Sequence, residues 1–201
     1  RDKIRQLCAE AVEHEFATVC VNSCWVPFCC DTLRQLQPDA AVMQPDATPH
    51  KVRVCTVVGF PLGQMAPAAK AFEAQSAAAQ GASEVDMVLN VGWLKGGEYV
   101  LVYEDIKAVV EAVPKSVMVK VILEVCLLTA EEITDACVLA ALAGASFVKT
   151  STGFSTGGAT ADSVRLMKAA VGDRLQVKAA GGVRTLEDAR QYTALGVTRI
   201  G

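Results

Sequence analysis

Ala140-Ala-Leu-Ala-Gly-Ala-Ser-Phe-Val-Lys149 carries the chain from a helix into a strand. The alanine-rich run is helical, the glycine takes the left-handed conformation that ends it, and Phe-Val opens an extended segment. The same phrase recurs as Ala77-Ala-Ala-Gln-Gly-Ala-Ser-Glu-Val-Asp86 and as Thr193-Ala-Leu-Gly-Val-Thr-Arg-Ile200. Helix starts are marked as well. Thr129-Ala-Glu-Glu132 has capping-box form, and Thr160-Ala-Asp162 and Thr185-Leu-Glu-Asp188 place a hydroxyl just ahead of acidic first turns.

Working outward, strands are expected near 17–22, 52–58, 84–89, 117–124, 146–150, 175–179 and 197–200. Helices are expected near 2–15, 25–36, 66–80, 98–112, 130–143, 160–171 and 185–195, and residues 37–50 read as a surface loop. Regular alternation implies an α/β protein with a parallel sheet, and the short apolar strands suit a sheet buried on both faces. Seven strands leave two architectures open: a doubly wound open sheet, or a (β/α)8 TIM barrel with seven of its strands in this chain. The barrel is favoured, because chemically useful residues recur at the carboxyl ends of many strands. A doubly wound sheet gathers them at one switch point instead. With no linker or low-complexity tract, residues 1–201 read as one domain.

Composition excludes several classes. The chain is 52% hydrophobic and 5% aromatic, enough for a core of Val, Ala and Leu. A net charge of −3 offers no sequence-independent attraction to nucleic acid or to an anionic membrane. No apolar run reaches the length of a membrane-spanning helix, and the polar amphipathic start is not expected to act as a signal peptide. The cysteines Cys8, Cys20, Cys24, Cys29, Cys30, Cys55, Cys126 and Cys137 lack paired metal-ligand spacing, and the histidines are His14 and His50. They read as free thiols, most of them small buried hydrophobes, with no metal and a cytoplasmic location expected.

Three lysines occupy similar places on successive strands: Lys120 in Val117-Met-Val-Lys-Val-Ile-Leu-Glu124, Lys149 in Phe147-Val-Lys-Thr-Ser-Thr-Gly153, and Lys178 in Val177-Lys-Ala-Ala-Gly-Gly-Val183. Lysine is depleted in strands and is rarely buried without a partner. Strand alternation puts Lys120 on one face with Glu124, and Asp86 on one face with Glu84, so Asp86 is the natural partner of the lysines. A lysine with a pKa near 10.4 is neutral only about once in a few thousand at pH 7. A second ammonium a few Å away, with partial desolvation, can supply the roughly 4 kcal/mol that makes an amine a carbon nucleophile. Lys149 and Lys178, on adjacent strands, are placed for this, one as nucleophile and the other as its electrostatic neighbour. Gly181-Gly-Val-Arg184 after one strand, and Gly153, Gly157 and Gly158 after another, suggest backbone N–H groups for phosphate.

These segments, with Glu84-Val-Asp-Met-Val-Leu-Asn90, Cys55-Thr-Val-Val-Gly-Phe-Pro-Leu-Gly63 and Ala17-Thr-Val-Cys-Val-Asn22, resemble the 2-deoxyribose-5-phosphate aldolase family in the right order across nearly the whole chain. The resemblance implies a TIM-barrel class I aldolase that needs no cofactor. It would reversibly cleave 2-deoxy-D-ribose 5-phosphate to D-glyceraldehyde 3-phosphate and acetaldehyde. It assigns Lys149 as the Schiff-base lysine, Lys178 as the second lysine beside it, Asp86 to the proton relay and Lys120 to the charged network. Gly153, Gly181 and Gly182 would contact substrate phosphate, and Cys20 would lie near the pocket. A small phosphorylated sugar is the implied partner, and a homodimer through the outer helices is compatible with such barrels.

Three departures accompany the resemblance. Family members usually begin with a strand like Asp-His-Thr-Leu-Leu-Lys-Pro, continue past Arg-Ile-Gly into a serine-rich phosphate loop, and in some cases carry a lysine where Phe154 stands. The domain is therefore expected to be incomplete at both ends. A Schiff-base aldolase for another phosphorylated sugar, and a non-catalytic barrel remnant, are the competing expectations.

Overall fold

The computed structural model of the chain describes residues 1–38 and 51–201, so most of the loop expected over 37–50 lies outside the described residues. The order is α1 (Asp2–Glu13), β1 (Thr18–Val21), α2 (Val26–Leu36), β2 (Arg53–Val58), α3 (Pro67–Ala79), β3 (Glu84–Val88), α4 (Val91–Lys95) and α5 (Tyr99–Ala112). There follow β4 (Met118–Ile122), α6 (Ala130–Leu142), β5 (Phe147–Lys149), α7 (Ala161–Val171), β6 (Gln176–Ala179), α8 (Leu186–Ala194) and β7 (Arg199–Ile200). All strand pairs are parallel and the sheet runs β1 to β7 in chain order. A doubly wound sheet would reverse its order at a switch point, so that alternative is excluded.

Side chains report the curvature. Neighbouring strands lie about 4.8 Å apart, so β3 and β7 in a flat sheet would be separated by about 19 Å. Yet Arg199 Nη1 on β7 stands 2.7 Å from Glu84 Oε2 on β3, and Lys178 Nζ on β6 stands 2.9 Å from Asp86 Oδ2. An arginine and a glutamate together cannot reach across a flat sheet. The strands therefore curl into a half-barrel with these groups inside its bore. Its margins, β1 and β7, border a cleft of about 430 Å³ lined by Thr18, Cys20, Lys178, Arg199 and Gly201 among others.

The helices form where local signals put them. Thr129, Thr160 and Thr185 each cap a helix in a reciprocal box, with Glu132, Ser163 and Asp188 respectively. Gly81, Gly144 and Gly196 take positive φ where the chain turns into the next strand. The larger core, around Met87, Ile106, Val121, Met167 and Val177, lies between the strands and α3 to α8. A smaller one, around Cys8, Val19, Val26, Cys29 and Leu33, joins α1 and α2 to β1 and β2.

Three features differ from expectation. The short helix α4, capped by the Asn90 side chain on Trp93 N, lies between the strand expected near 84–89 and the helix expected near 98–112, where no element is expected. Cys20, Cys24 and Cys126 are exposed and Cys30 is half-buried, while Cys8, Cys29, Cys55 and Cys137 are buried as expected; all eight are free thiols. Lys70, on the α3 face that packs inward with Ala74 and Ala77, is fully buried. Its ammonium donates to Asp105 Oδ2 on α5 at 2.5 Å, to Gly63 O at 2.9 Å and to Val88 O at 3.1 Å. This lysine ties the loop after β2 to the end of β3.

Candidate active site

Register brings the expected residues together. Asp86 pairs in register with Lys120, and Lys149 with Lys178, so four charged side chains point into the bore from β3, β4, β5 and β6. Asp86 is the hub. Its Oδ1 accepts from Lys120 Nζ at 2.7 Å and from the Cys55 thiol at 3.2 Å. Its Oδ2 accepts from Lys149 Nζ at 3.0 Å and Lys178 Nζ at 2.9 Å. Lys149 and Lys178 each remain 5% exposed, whereas Lys120 and Asp86 are sealed off.

Burial works against ionising Asp86, but the ammonium groups of Lys149, Lys120 and Lys178 outweigh it and hold the carboxyl far below the usual carboxylate range. Lys178 shows the converse. Burial pulls its pKa down, Asp86 lifts it, and the balance lies above the ordinary lysine value. The expectation that paired lysines repel is therefore offset in the resting site, where one carboxylate stands between them. Lys120 behaves likewise, with burial opposed by Cys55, Asp86 and Glu84.

Beneath this layer lies a second charge layer that sequence reading left without roles. Glu84 is fully buried and meets Lys120 at 2.5 Å, Arg199 at 2.7 Å and Arg53 at 3.3 Å. Burial raises the Glu84 carboxyl pKa, but Arg199 and Lys120 prevail and hold it low. Strand alternation had placed Glu84 beside Asp86; the two arginines are long-range partners with no local signature.

The glycine loops after β5 and β6 meet. Gly153, Gly181 and Gly182 have φ near +84°, +84° and +80°. A Cβ on Gly158 would lie 2.1 Å from Gly181 O, so the two loops cross backbone to backbone. Thr150 locks this crossing, donating to Ala180 O at 2.7 Å and accepting from Ala180 N at 3.0 Å. The N–H groups of Gly153, Gly181 and Gly182 donate to no partner among the described residues. Close by, Glu124 holds a left-handed φ of 58° and accepts from Thr152 N at 3.2 Å and from the Thr152 hydroxyl. Glu124, Thr152, Phe154, Pro61 and Leu62 line a cavity of about 200 Å³ beyond the strand ends.

Cys20 is the register partner of Cys55 on the bore face. The two sulfurs and an Asp86 oxygen lie within 4.8 Å of one another, a spacing a soft cation could bridge. Three ammonium groups already occupy both Asp86 oxygens and oppose a cation there. No helix among the described residues is long and apolar enough to cross a membrane.

A parallel sheet curled around a cluster of buried lysines on one carboxylate defines a (β/α)-barrel protein of the amine-chemistry class. The family model described as DeoC/LacD family aldolase matches residues 2–199, and the chain belongs to that family. It is 52% identical over 201 residues to a deoxyribose-phosphate aldolase of Streptococcus uberis, covering 100% of this chain and 84% of the relative. With the deoxyribose-phosphate aldolase of Lysinibacillus sphaericus it shares 53% identity over the same coverage. Among solved structures it superposes on the tetrameric deoxyribose phosphate aldolase of Aeropyrum pernix with a TM-score of 0.84 and 29% identity, covering 100% of this chain and 79% of that one. An aldolase titled QR15 gives a TM-score of 0.86 at 36% identity, with 100% and 83% coverage.

Proposed function

We propose that residues 1–201 form one barrel domain that cleaves 2-deoxy-D-ribose 5-phosphate to D-glyceraldehyde 3-phosphate and acetaldehyde, with Lys149 as the imine-forming amine. The observation that carries this reading is the shared carboxylate: Lys149 and Lys178 lie 3.0 and 2.9 Å from the same Asp86 oxygen. Lys149 gives up its extra proton to solvent and leaves that contact to attack the sugar C1 as a neutral amine, while Lys178 keeps Asp86 paired, so no buried charge is stranded. Loss of water from the adduct gives the imine, an electron sink adjacent to C2. Removal of the C3 hydroxyl proton then breaks the C2–C3 bond, releasing glyceraldehyde 3-phosphate and leaving an enamine on Lys149. Protonation at C2 and hydrolysis free acetaldehyde.

In this reading Asp86 is ionised at rest and takes up a proton only transiently as it passes it between its lysine donors, while Lys120 and Glu84 fix its orientation. The free N–H groups of Gly153, Gly181 and Gly182 receive the phosphate, and Cys20 borders the pocket. A homodimer is compatible with this reading and would be measured as a mass near twice 21.2 kDa in solution.

Purified protein should release both products from 2-deoxyribose 5-phosphate, and Lys149→Leu should abolish this while its circular dichroism stays that of the parent. Turnover retained in Lys149→Leu, or a preference for dihydroxyacetone or pyruvate as donor, would overturn the assignment.

A further inference from the structure

Two thiols that the proposed reaction does not consume lie against its charge network. Cys20 on β1 and Cys55 on β2 are register partners in a parallel pair. Such partners have Cα atoms about 4.8 Å apart. That lies within the roughly 4.4–6.8 Å that a disulfide spans. Both side chains face the bore, with their sulfurs within 4.8 Å of each other and of Asp86. Cys55 donates to Asp86 Oδ1 at 3.2 Å and accepts from Lys120 Nζ at 3.6 Å. Cys20 is exposed and lines a cavity with Lys178 and Arg199.

The two sulfurs are chemically unequal. The neighbouring Cys55 thiol favours the Cys20 thiolate, burial and Asp86 oppose it, and Lys178 and Lys149 assist; the balance brings Cys20 down to about 7. Cys55 is pushed well up, by the adjacent Cys20 sulfur and then by burial. An accessible thiolate beside a hydrogen-bonded resolving thiol is the arrangement that thiol–disulfide exchange requires.

We propose that Cys20 and Cys55 form a reversible disulfide site in the barrel wall, closed by low-molecular-weight organic disulfides and acting on the lysine cluster through Asp86. The Cys20 thiolate attacks one sulfur of RSSR, forming Cys20–S–S–R and expelling RS⁻. Cys55 then loses its proton and attacks Cys20 Sγ, forming the Cys20–Cys55 bond and expelling the second RS⁻. The protein gives up two electrons and two protons, and RSSR leaves as two RSH. As a disulfide, Cys55 has no proton for Asp86 Oδ1. Asp86 then leans on its three ammonium donors alone, drawing Lys149 into the ion pair that imine formation has to break. This last consequence rests on the aldolase reading; the bridge does not.

Cys8 and Cys29 supply an internal comparison. They are also neighbouring thiols, but both are buried, and burial pushes Cys29 up to about 12. The reduced protein would be exposed to bis(2-hydroxyethyl) disulfide, alkylated under denaturing conditions and mapped by mass. A Cys20–Cys55 linked peptide lighter by two hydrogens is expected, formed about tenfold faster at about pH 8 than at about pH 6 as Cys20 ionises. Cys55→Ala should stop at a mixed disulfide on Cys20. Turnover should fall at least tenfold on bridging and return with dithiothreitol. Failure to link Cys20 to Cys55, or linkage of Cys8 to Cys29 first, would overturn the site, and a bridge that leaves turnover unchanged would overturn its action on the lysines. A reduced protein without turnover would sink the aldolase reading, while the mass map would still decide the bridge.

Discussion

Replacing Asp86 by Asn keeps the shape of the hub and removes its charge. Asp86 faces three ammonium groups at 2.7, 3.0 and 2.9 Å, and two of them, Lys149 and Lys178, have no other ion-pair partner among the described residues. Breaking a buried pair from one side costs about 3–5 kcal/mol, because the orphaned charge stays in a medium that solvates it poorly. With a urea m-value of about 2–3 kcal/mol/M, the midpoint should fall by roughly 1–2.5 M at pH 7. The pH dependence has a definite sign. Asp86 has a depressed folded-state pKa, so its stabilisation is complete above its unfolded value near about 3.9 and is lost as pH falls toward the folded value. The gap between parent and Asp86→Asn should therefore be constant at neutral pH and narrow below about pH 4. Lys120 and Lys178 are raised, so their stabilisation is complete below about 10.4 and is lost as pH climbs through their folded values. Asp86→Asn should flatten that alkaline loss. Urea unfolding followed by circular dichroism at several pH values is the assay. A midpoint shift below about 0.3 M, or a gap that persists undiminished at about pH 3, would refute the hub.

Three further outcomes are expected. Lys70→Met strands the buried Asp105 carboxylate and should cost about 3–5 kcal/mol in urea unfolding, much of it recovered by adding Asp105→Leu. Gly158→Ala puts a methyl 2.1 Å from Gly181 O, and should lower stability by about 1–3 kcal/mol and raise the KM for phosphorylated substrate more than for unphosphorylated deoxyribose. Phe154 is 77% exposed and touches Phe60 edge-on at 5.1 Å, so Phe154→Lys should fold normally and lower that phosphate-dependent KM several-fold.

The fold was legible because its signals are local. Glycines at helix ends, threonine caps and short Val-rich runs located every strand of the sheet and its parallel sense. Asp86, Lys120, Lys149 and Lys178 were legible because charged residues in apolar strands require partners, and alternation put them on one face. Barrel curvature was legible only indirectly, from the spread of chemical residues over many strands.

What escaped reading depends on contacts distant in sequence. Arg199 reaches Glu84 across 115 positions, and nothing near either residue announces it. Cys55 looked like core filler until register set it opposite Cys20. Lys70 could have been found. It shares the helical stripe of Ala74 and Ala77, and Asp105 shares that of Val102, Ile106 and Val109, so each helix carries one charge of opposite sign on its inward face. Complementary charges on two apolar stripes were the signal.

The most direct measurement is reductive trapping. The protein would be incubated with acetaldehyde and borohydride, digested, and mapped by mass. A two-carbon adduct on Lys149, with Lys178, Lys120 and the surface lysines unmodified, is the predicted result. An adduct on Lys178 in its place, or label spread over surface lysines alone, would contradict the assignment of Lys149 as the amine that carries the reaction.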